Sequence, residues 1–155
     1  MNSKTYLNSL PRKRMGVGCL LFNIEAKVLL LKPTYKDNWL FPGGVIEANE
    51  SPRQACIREV REEIGIECQP ERLLCVDYVS KTENNNESVQ FVFWGGIIAD
   101  SAEIILAPKE ICMYQFWELE EAIGKLGIHS QRRLHRCMKD WHSKTTIYLE
   151  DGQLP

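Results

Sequence analysis

Residues 44–66, GVIEANESPRQACIREVREEIGI, constrain the fold of this chain more than any other segment. Ser51 and Pro52 are followed by twelve residues that contain neither glycine nor proline, and then by Gly65. Serine is a favoured helix N-cap, proline is tolerated at the first helical position, and glycine suits the left-handed residue that ends a helix. The pattern therefore predicts a loop, a helix over residues 52–64, and a second loop.

Three glutamates of the predicted helix, Glu59, Glu62 and Glu63, are spaced so that they share one face. Like charges at these spacings destabilise a helix by roughly a few tenths of a kcal/mol per pair. Divalent cations with oxygen ligands would offset this repulsion, although a solvated acidic helix face is the alternative explanation. A separate apolar stripe is expected to anchor the helix on a core, and it comprises Cys56, Val60 and Ile64.

The fixed positions of this segment fit the pattern G-x5-E-x7-R-E-U-x-E-E-x-G-U, in which U is aliphatic. The matching positions are Gly44, Glu50, Arg58, Glu59, Val60, Glu62, Glu63, Gly65 and Ile66. This pattern is the signature of the Nudix hydrolases, and the chain resembles MutT-like members of that family over about residues 14–144. We call residues 44–66 the Nudix box. The resemblance implies an α/β (α+β) fold, the Nudix α/β/α sandwich, with a mixed central sheet, the box helix and C-terminal helices.

Apolar periodicity places the remaining elements. The segments predicted to be strands are 17–23, 27–32, 39–41, 73–80, 88–99, 103–106 and 113–118. Helices are predicted at 119–126 and about 130–143, an edge strand or tail at 145–149, and fraying over the last five residues. We expect an N-terminal lead-in over residues 1–13, a Nudix hydrolase domain over residues 14–144, and a C-terminal strand or tail over residues 145–155.

The balance of charge disfavours polyanionic partners. The chain has 19 basic and 21 acidic residues and a formal net charge of −2, so strong attraction to nucleic acid or an anionic membrane is not expected. It has no run of 18 apolar residues and no apolar leader, which predicts a cytoplasmic protein without a membrane partner. One late basic cluster is interpreted as a solvated helix face rather than an RNA-binding patch. It comprises Arg132, Arg133, Arg136 and Lys139.

The six cysteines are scattered along the chain without a C-x-x-C pair. Their spacing does not match the paired ligands of a structural zinc site, and disulfides are improbable in the cytosol. All six are therefore interpreted as reduced thiols.

The resemblance implies a hydrolase that uses Mg²⁺ or Mn²⁺ to cleave a diphosphate linkage. The metal ligands that it implies are the carbonyl of Gly43 and the carboxylates of Glu59, Glu62 and Glu63. Arg58 matches the motif arginine, which would orient the acidic residues by pairing with Glu50. A planar guanidinium suits this task because it binds a carboxylate through two parallel hydrogen bonds.

The identity of the general base stays open. Some Nudix enzymes use a glutamate of the box, for which Glu59 and Glu62 are the candidates here. Others use a glutamate from a loop beyond the sheet, for which Glu110 is the candidate and an ordinary loop carboxylate the alternative explanation. Glu62, Arg58, Glu59 and Glu110 are thus the predicted catalytic residues.

Four residues upstream of the box are predicted to contact substrate. Tyr35 and Lys36 lie on a polar loop, while Trp39 and Phe41 could stack on a base. Aromatic residues also favour strands, so both could instead belong to the core. The expected partner is a small-molecule nucleotide or another diphosphate, and a homodimer is an open possibility.

Markers of four subfamilies are missing around the box, namely those for dinucleoside polyphosphates, ADP-ribose, coenzyme A and NADH. The short chain instead resembles the nucleoside triphosphate pyrophosphohydrolases. Pyrophosphatases of ADP-ribose or nucleotide sugars are one alternative. A Nudix module that senses a nucleotide without turnover is another, although such modules usually lack box glutamates that this chain retains.

Overall fold

A seven-stranded mixed sheet organises the protein in a computed structural model that describes residues 2–155. The helices are α1 (Ser3–Ser9), α2 (Pro52–Ile64), α3 (Leu119–Lys125) and α4 (Ile128–Lys139). The strands are β1 (Arg14–Phe22), β2 (Val28–Pro33), β3 (Gly43–Val45), β4 (Arg72–Val79), β5 (Ser88–Ile97), β6 (Ile111–Trp117) and β7 (Ile147–Glu150). A short 3-10 helix, Trp141–Ser143, lies between α4 and β7.

Strand β1 is central, and the sheet has the order β6-β2-β1-β5-β4-β7. It runs parallel to β5 on one side, and on the other it pairs antiparallel with β3 and, at its end, with β2. The register places Gly18 opposite Gly43 and Val17 opposite Gly44. The two glycines that open the Nudix box are therefore fixed against the central strand.

Helices cover both faces of the sheet, which confirms the predicted α/β/α sandwich. The side chains of Val17, Cys19 and Leu21 in β1 pack in the layer that contains α2. Those of Leu20 and Phe22 pack in the layer that contains α3 and α4. A strand buried on both faces needs a continuous apolar run rather than alternation, which explains the sequence of β1.

The box helix α2 has the predicted bounds. The side chain of Ser51 accepts a hydrogen bond from the backbone N–H of Gln54, and the Gln54 side chain accepts one from the Ser51 N–H, which completes a capping box. Gly65 ends the helix with a φ of +70°. The predicted apolar stripe of Cys56, Val60 and Ile64 is fully buried.

Two predicted strands do not form as expected, and one helix was not predicted. In the segment 39–41, Trp39 and Leu40 form only isolated bridges. The strand lies just after this segment, at β3, where the glycines pair with β1. Residues 103–106 form no strand, because Ile105 donates its N–H to the carbonyl of Ile64 at the end of α2 instead. Helix α1 was not predicted. None of its seven residues is buried, so its sequence has no apolar stripe that would indicate a helix.

The C-terminal residues are held rather than frayed. Strand β7 pairs parallel with β4 at the edge of the sheet. Beyond it, the carboxylate of Asp151 accepts a hydrogen bond from the N–H of Ser80 over 2.8 Å, and Gly152 donates its N–H to Asp77 over 2.9 Å. No helix among residues 2–155 has the length and apolar character needed to cross a membrane.

Candidate active site

Two glutamates of α2 face the glycine turn that precedes the helix. The Oε2 atom of Glu63 accepts a hydrogen bond from the backbone N–H of Gly43 over 2.8 Å, and Glu63 is only 6 % exposed. The carboxylate of Glu59 lies so close to Gly44 that an added Cβ there would be 2.5 Å from Oε1. Helix and turn therefore place two carboxylates side by side at the start of the Nudix box.

Burial makes negative charge costly at both positions. It raises the pKa of Glu63 to about 8, although the hydrogen bond from Gly43 acts in the opposite direction. Burial also raises the pKa of Glu59, while the guanidinium of Arg58 acts to lower it. Repulsion from Glu110 adds to the increase at both glutamates. A cation among these carboxylates would stabilise their ionised forms.

Arg58 holds the acidic residues together. Its Nε and Nη2 atoms bind the two carboxylate oxygens of Glu50 at 2.7 Å and 3.0 Å, and Nη1 lies 2.8 Å from Oε1 of Glu59. Nη2 also donates to the carbonyl of Val45 over 3.0 Å. The paired guanidinium lowers the pKa of Glu50 to about 2. Arg58 thus bridges Glu50 and Glu59, and its orienting role in the reaction stays a prediction.

Glu62 differs from the other two box glutamates. Its side chain is 59 % exposed, and one oxygen lies 3.1 Å from Nη1 of Arg58. The three carboxylates are neighbours on the helix, but Glu59 and Glu63 are turned inward whereas Glu62 is exposed. The reason is angular, because residues 59 and 63 lie closer to the sheet side of the helix than residue 62 does. A catalytic or metal-binding role for Glu62 stays a prediction.

Gly43 occupies a position that only glycine fills without strain. Its φ is +149°, and a Cβ atom there would collide with the backbone carbonyl of Val17. Its N–H is bound to Glu63, so the peptide plane between Pro42 and Gly43 is fixed relative to that carboxylate. A role of the Gly43 carbonyl as a metal ligand stays a prediction.

The loop that precedes β6 brings a fourth carboxylate to the site. The backbone carbonyl of Glu110 accepts a hydrogen bond from Thr34 N–H over 2.8 Å, which ties this loop to the end of β2. Burial raises the pKa of Tyr35, and the charges of Glu63 and Glu110 act in the same direction. Tyr35 and Glu110 are thus electrostatically part of the group formed by Glu59 and Glu63.

A cavity of about 320 Å³ begins at the glycine turn and extends between β1, β5 and α4. Three of the four predicted substrate contacts, Tyr35, Lys36 and Phe41, line it. Trp39 does not line it, and its ring packs edge-on against Trp117 with 5.5 Å between centroids. Trp39 therefore belongs to the core layer beneath α3 rather than to the cavity.

Sequence reasoning missed the polar residues at the far end of this cavity, which are Gln90, Ser130 and Arg133. The Nε atom of Arg133 donates to Oδ2 of Asp77 over 2.5 Å, and Asp77 is fully buried. The interpretation of Arg133 as part of a solvated helix face is therefore wrong. The sequence contains one indication of this pair, which is Asp77, because an acidic residue inside an apolar strand needs a buried partner.

Two further members of the late basic cluster also make internal contacts, whereas Lys139 is exposed. Arg132 donates to the carbonyl of Asp151 over 2.9 Å, and Arg136 pairs with Asp140 at 2.6 Å. The cluster does not form one free basic surface.

The donor set fits a hard divalent cation, because it consists of carboxylate and carbonyl oxygens. Within residues 2–155, no three carboxylate oxygens from different side chains lie within 4.8 Å of one another. Such an open set suits Mg²⁺ or Mn²⁺, which are bound through one or two carboxylates together with waters and substrate phosphates.

Comparison with known proteins agrees with this arrangement. A family model described as the NUDIX domain matches residues 12–140. The MutT protein of Methanosarcina mazei is 25 % identical in sequence, with a TM-score of 0.73 over 85 % of this chain and 98 % of that one. The fold and the site thus define a member of the MutT/Nudix class, and the chain belongs to the Nudix family.

Relatives within the family carry different names. An RNA pyrophosphohydrolase of Hydrogenovibrio crunogenus is 43 % identical over 61 residues, which cover 39 % of this chain and 37 % of the relative. The 8-oxo-dGDP phosphatase NUDT18 of Danio rerio is 35 % identical over 109 residues, covering 66 % of this chain and 31 % of the relative. The chain thus spans about a third of the length of these relatives. Divalent-metal dependence is typical of the family.

Proposed function

We propose that this protein is a divalent-cation-dependent hydrolase of the diphosphate linkage in a nucleoside diphosphate derivative, with a nucleoside triphosphate as the favoured substrate. The observation that carries the proposal is the pairing of Glu59 and Glu63 against the turn formed by Gly43 and Gly44, a turn that also lines the cavity. Relatives named as a pyrophosphohydrolase and a phosphatase support it.

Glu59, Glu63 and the Gly43 carbonyl are the proposed ligands of Mg²⁺ or Mn²⁺, with Glu62 as a peripheral ligand. The bound cations supply positive charge that neutralises the phosphate oxygens of the substrate. Arg58 keeps Glu59 in place through a hydrogen bond and positions Glu50 against the start of the box. The rigid turn fixes the direction of approach of the phosphates.

Glu110 is the proposed general base, and Glu62 is the alternative. A base must take a proton from the water that attacks phosphorus while the anhydride P–O bond breaks and the leaving phosphate departs. Glu110 is exposed on a loop, and its charge acts on both Glu59 and Glu63. A carboxylate that is near the others but not held by Arg58 is free to accept that proton.

The cavity supports a nucleobase as the group that is attached to the phosphates. Phe41 and Phe91 supply aromatic surface, whereas Gln90, Ser130 and Arg133 supply hydrogen-bonding groups. A concave site that combines apolar surface with a few fixed polar groups is the usual form of a small-molecule site. Lys36 and Arg14 also line the cavity and could contact phosphate oxygens between base and turn.

The experiment is a panel of nucleoside triphosphates, nucleoside diphosphates including oxidised guanine forms, ADP-ribose and nucleotide sugars, each assayed with Mg²⁺ or Mn²⁺ for phosphate or pyrophosphate release. We expect turnover of nucleoside triphosphates that is lost in Glu63→Gln. Turnover confined to ADP-ribose or a nucleotide sugar would overturn the substrate but keep the reaction class. Tight binding of one compound without any release would favour a nucleotide-sensing module.

Triphosphorylated RNA belongs in the same panel because one relative is named as an RNA pyrophosphohydrolase. The internal pairing of Arg132, Arg133 and Arg136 leaves few cations on α4 for a phosphate backbone. We therefore expect RNA to be a poorer substrate than free nucleotides at ~0.15 M salt.

A further inference from the structure

Three cysteines that are far apart in the sequence converge in the core beside the box helix. Cys19 lies in β1, Cys56 in α2, and Cys68 in the loop that leads from α2 to β4. Their Sγ atoms all lie within 4.8 Å of one another, and all three side chains are buried. The spacing along the chain gave no indication of this cluster, because each thiol comes from a different element.

The surrounding structure holds the three thiols in place. Gly95 in β5 leaves room for Cys19, since a Cβ atom there would collide with its Sγ. Arg53 at the start of α2 donates from Nε to the carbonyl of Pro70 over 2.9 Å, and from Nη2 to the side chain of Gln69 over 3.2 Å. The loop that carries Cys68 is thus fastened to the helix that carries Cys56.

Ordinary packing does not account for the whole arrangement. A buried cysteine behaves as a small apolar residue, and this explains each thiol taken singly. It does not explain why three sulfur atoms meet at one point in a layer whose other members are mainly aliphatic. Sulfur ligands from three rigid elements, by contrast, are what a closed metal site requires.

The geometry and chemistry together select the class of ion. Thiolates favour soft ions such as Cu(I) and Zn²⁺, and structural zinc takes four ligands. The part of the chain that the structure describes offers three ligand atoms at this point. With metal–sulfur distances of about 2.3 Å, sulfurs in a trigonal site would be about 4 Å apart. The thiols need to close by less than about 1 Å to reach that spacing.

The thiolate rather than the thiol is the metal ligand, so metal binding would release protons from the cluster. Cys68 lies between the exposed residues Glu67 and Gln69, so the loop that carries it offers a route from solvent to the cluster.

We propose that Cys19, Cys56 and Cys68 form a binding site for a soft, three-coordinate metal ion, represented by Cu(I). The site is separate from the carboxylates of the Nudix box and its oxygen donors. Occupancy would link β1, α2 and the following loop, and would stabilise the folded chain to the extent that the converged thiols bind the ion more tightly than the unfolded chain does.

The test uses the full chain, reduced and kept anaerobic. Cu(I) held by a chromogenic chelator such as bicinchoninate is titrated with the protein, and loss of the chelator colour gives the amount transferred. We expect one Cu(I) per chain, new thiolate-to-metal absorption in the near ultraviolet, and a higher Tm. Cys68→Ser should weaken retention by at least ~100-fold, because altering residues that only support metal ligands already costs 10- to 100-fold.

Matched controls separate the site from other thiols. Cys112→Ser removes an exposed thiol outside the cluster, and Cys75→Ser removes a buried one in the opposite layer. Both should bind Cu(I) like the parent, and circular dichroism checks that each variant is folded. If Cys68→Ser is unfolded, Cys56→Ala takes its place.

Three results would overturn the proposal. The parent protein could yield all Cu(I) to the chelator, the loss of Cys112 could abolish binding, or Zn²⁺ could be retained more tightly than Cu(I). The last result would point to four-coordinate ligation instead.

Discussion

The carboxylate of Glu63 and the backbone N–H of Gly43 are joined by a hydrogen bond of 2.8 Å that connects the box helix to the turn before it. The same turn is paired with β1, the central strand. The positions of the Glu63 carboxylate, the turn and the box helix therefore depend on one another. This connection makes the site rigid before any ligand binds, which is the condition for electrostatic stabilisation of a transition state.

Replacement of either inward glutamate should abolish most activity. We expect Glu59→Gln and Glu63→Gln each to lower kcat by at least ~10²-fold, because each removes charge from the proposed cation site. The measurement is phosphate or pyrophosphate release with the best substrate of the panel. Glu67→Gln is the matched control, since Glu67 is exposed and lies 3.7 Å from Arg61. Near-normal kcat in either inward variant at saturating Mg²⁺ would contradict the assignment.

The stability of the metal-free protein should fall as the pH rises from about 4.5 to about 8. The folded pKa of Glu63 is raised to about 8 from an ordinary value of 4.5. Folding therefore takes up a proton between these values, and the ionised side chain opposes folding fully only above pH 8. The lowered pKa of Glu50 acts in a different window, since its stabilising effect is lost only as the pH falls from 4.5 towards 2.

Thermal unfolding from pH 5 to pH 9 with a chelator present measures this dependence. Glu63→Gln should flatten the curve and raise stability at pH 8 by at least ~1 kcal/mol. Added Mg²⁺ should raise the Tm of the parent more at pH 8 than at pH 6, because protons compete with the cation. An identical slope in parent and Glu63→Gln would show that another group is responsible.

The sequence predicted the elements that depend on local backbone preferences. It did not predict the features that depend on contacts between residues far apart in the sequence. Helix α2 was placed correctly because Ser51, Pro52 and Gly65 act through their own backbone preferences. The inward pair of Glu59 and Glu63 followed from a motif of fixed spacing. The roles assigned to the individual site residues remain predictions.

Non-local contacts were beyond the sequence patterns. Strand β3 forms from glycines, which lack β propensity, because β1 is there to pair with them. Arg133 is buried because Asp77, on a distant strand, gives it a charged partner. The cysteine cluster likewise depends on how β1, α2 and one loop pack.

Arg58 should not be replaceable by lysine. Its planar group binds both oxygens of Glu50 and reaches Glu59 at the same time, whereas an ammonium is a compact point charge that cannot span these partners. We expect Arg58→Lys to lower stability by about 1–3 kcal/mol and to lower kcat as Glu59 loses its support. Urea unfolding and steady-state kinetics measure the two effects.

Arg61→Lys is the control for this substitution. Arg61 lies on the same helix, its side chain is 55 % exposed, and its closest acidic contact is 3.7 Å away. Its effect should stay within about 0.5 kcal/mol. Equal effects at positions 58 and 61 would remove the special role of Arg58.

The two candidates for the general base predict different effects of substitution on kcat. If Glu110 accepts the proton, Glu110→Gln should lower kcat by about 10²- to 10⁴-fold. Glu62→Gln should then lower kcat much less. Steady-state kinetics at saturating substrate and Mg²⁺ measure both effects, with Glu103→Gln as the exposed control on the same loop. A large loss of kcat in Glu62→Gln alone would assign the base to the box helix.

Asp77 and Arg133 form a buried ion pair, and we expect removal of one partner to destabilise the protein more than replacement of both. Asp77→Asn leaves the guanidinium buried without its charged partner, and Gly152 keeps only a neutral acceptor for its N–H. We expect a loss of about 3–5 kcal/mol in the free energy of unfolding. The double variant Asp77→Leu, Arg133→Met should recover part of that loss, because apolar residues of similar volume can replace a buried ion pair while the N–H of Gly152 loses its acceptor. Since Arg133 lines the cavity, the double variant should be folded and still show a raised KM, which steady-state kinetics with the preferred nucleotide would measure. An unchanged KM would place Arg133 among the purely structural residues.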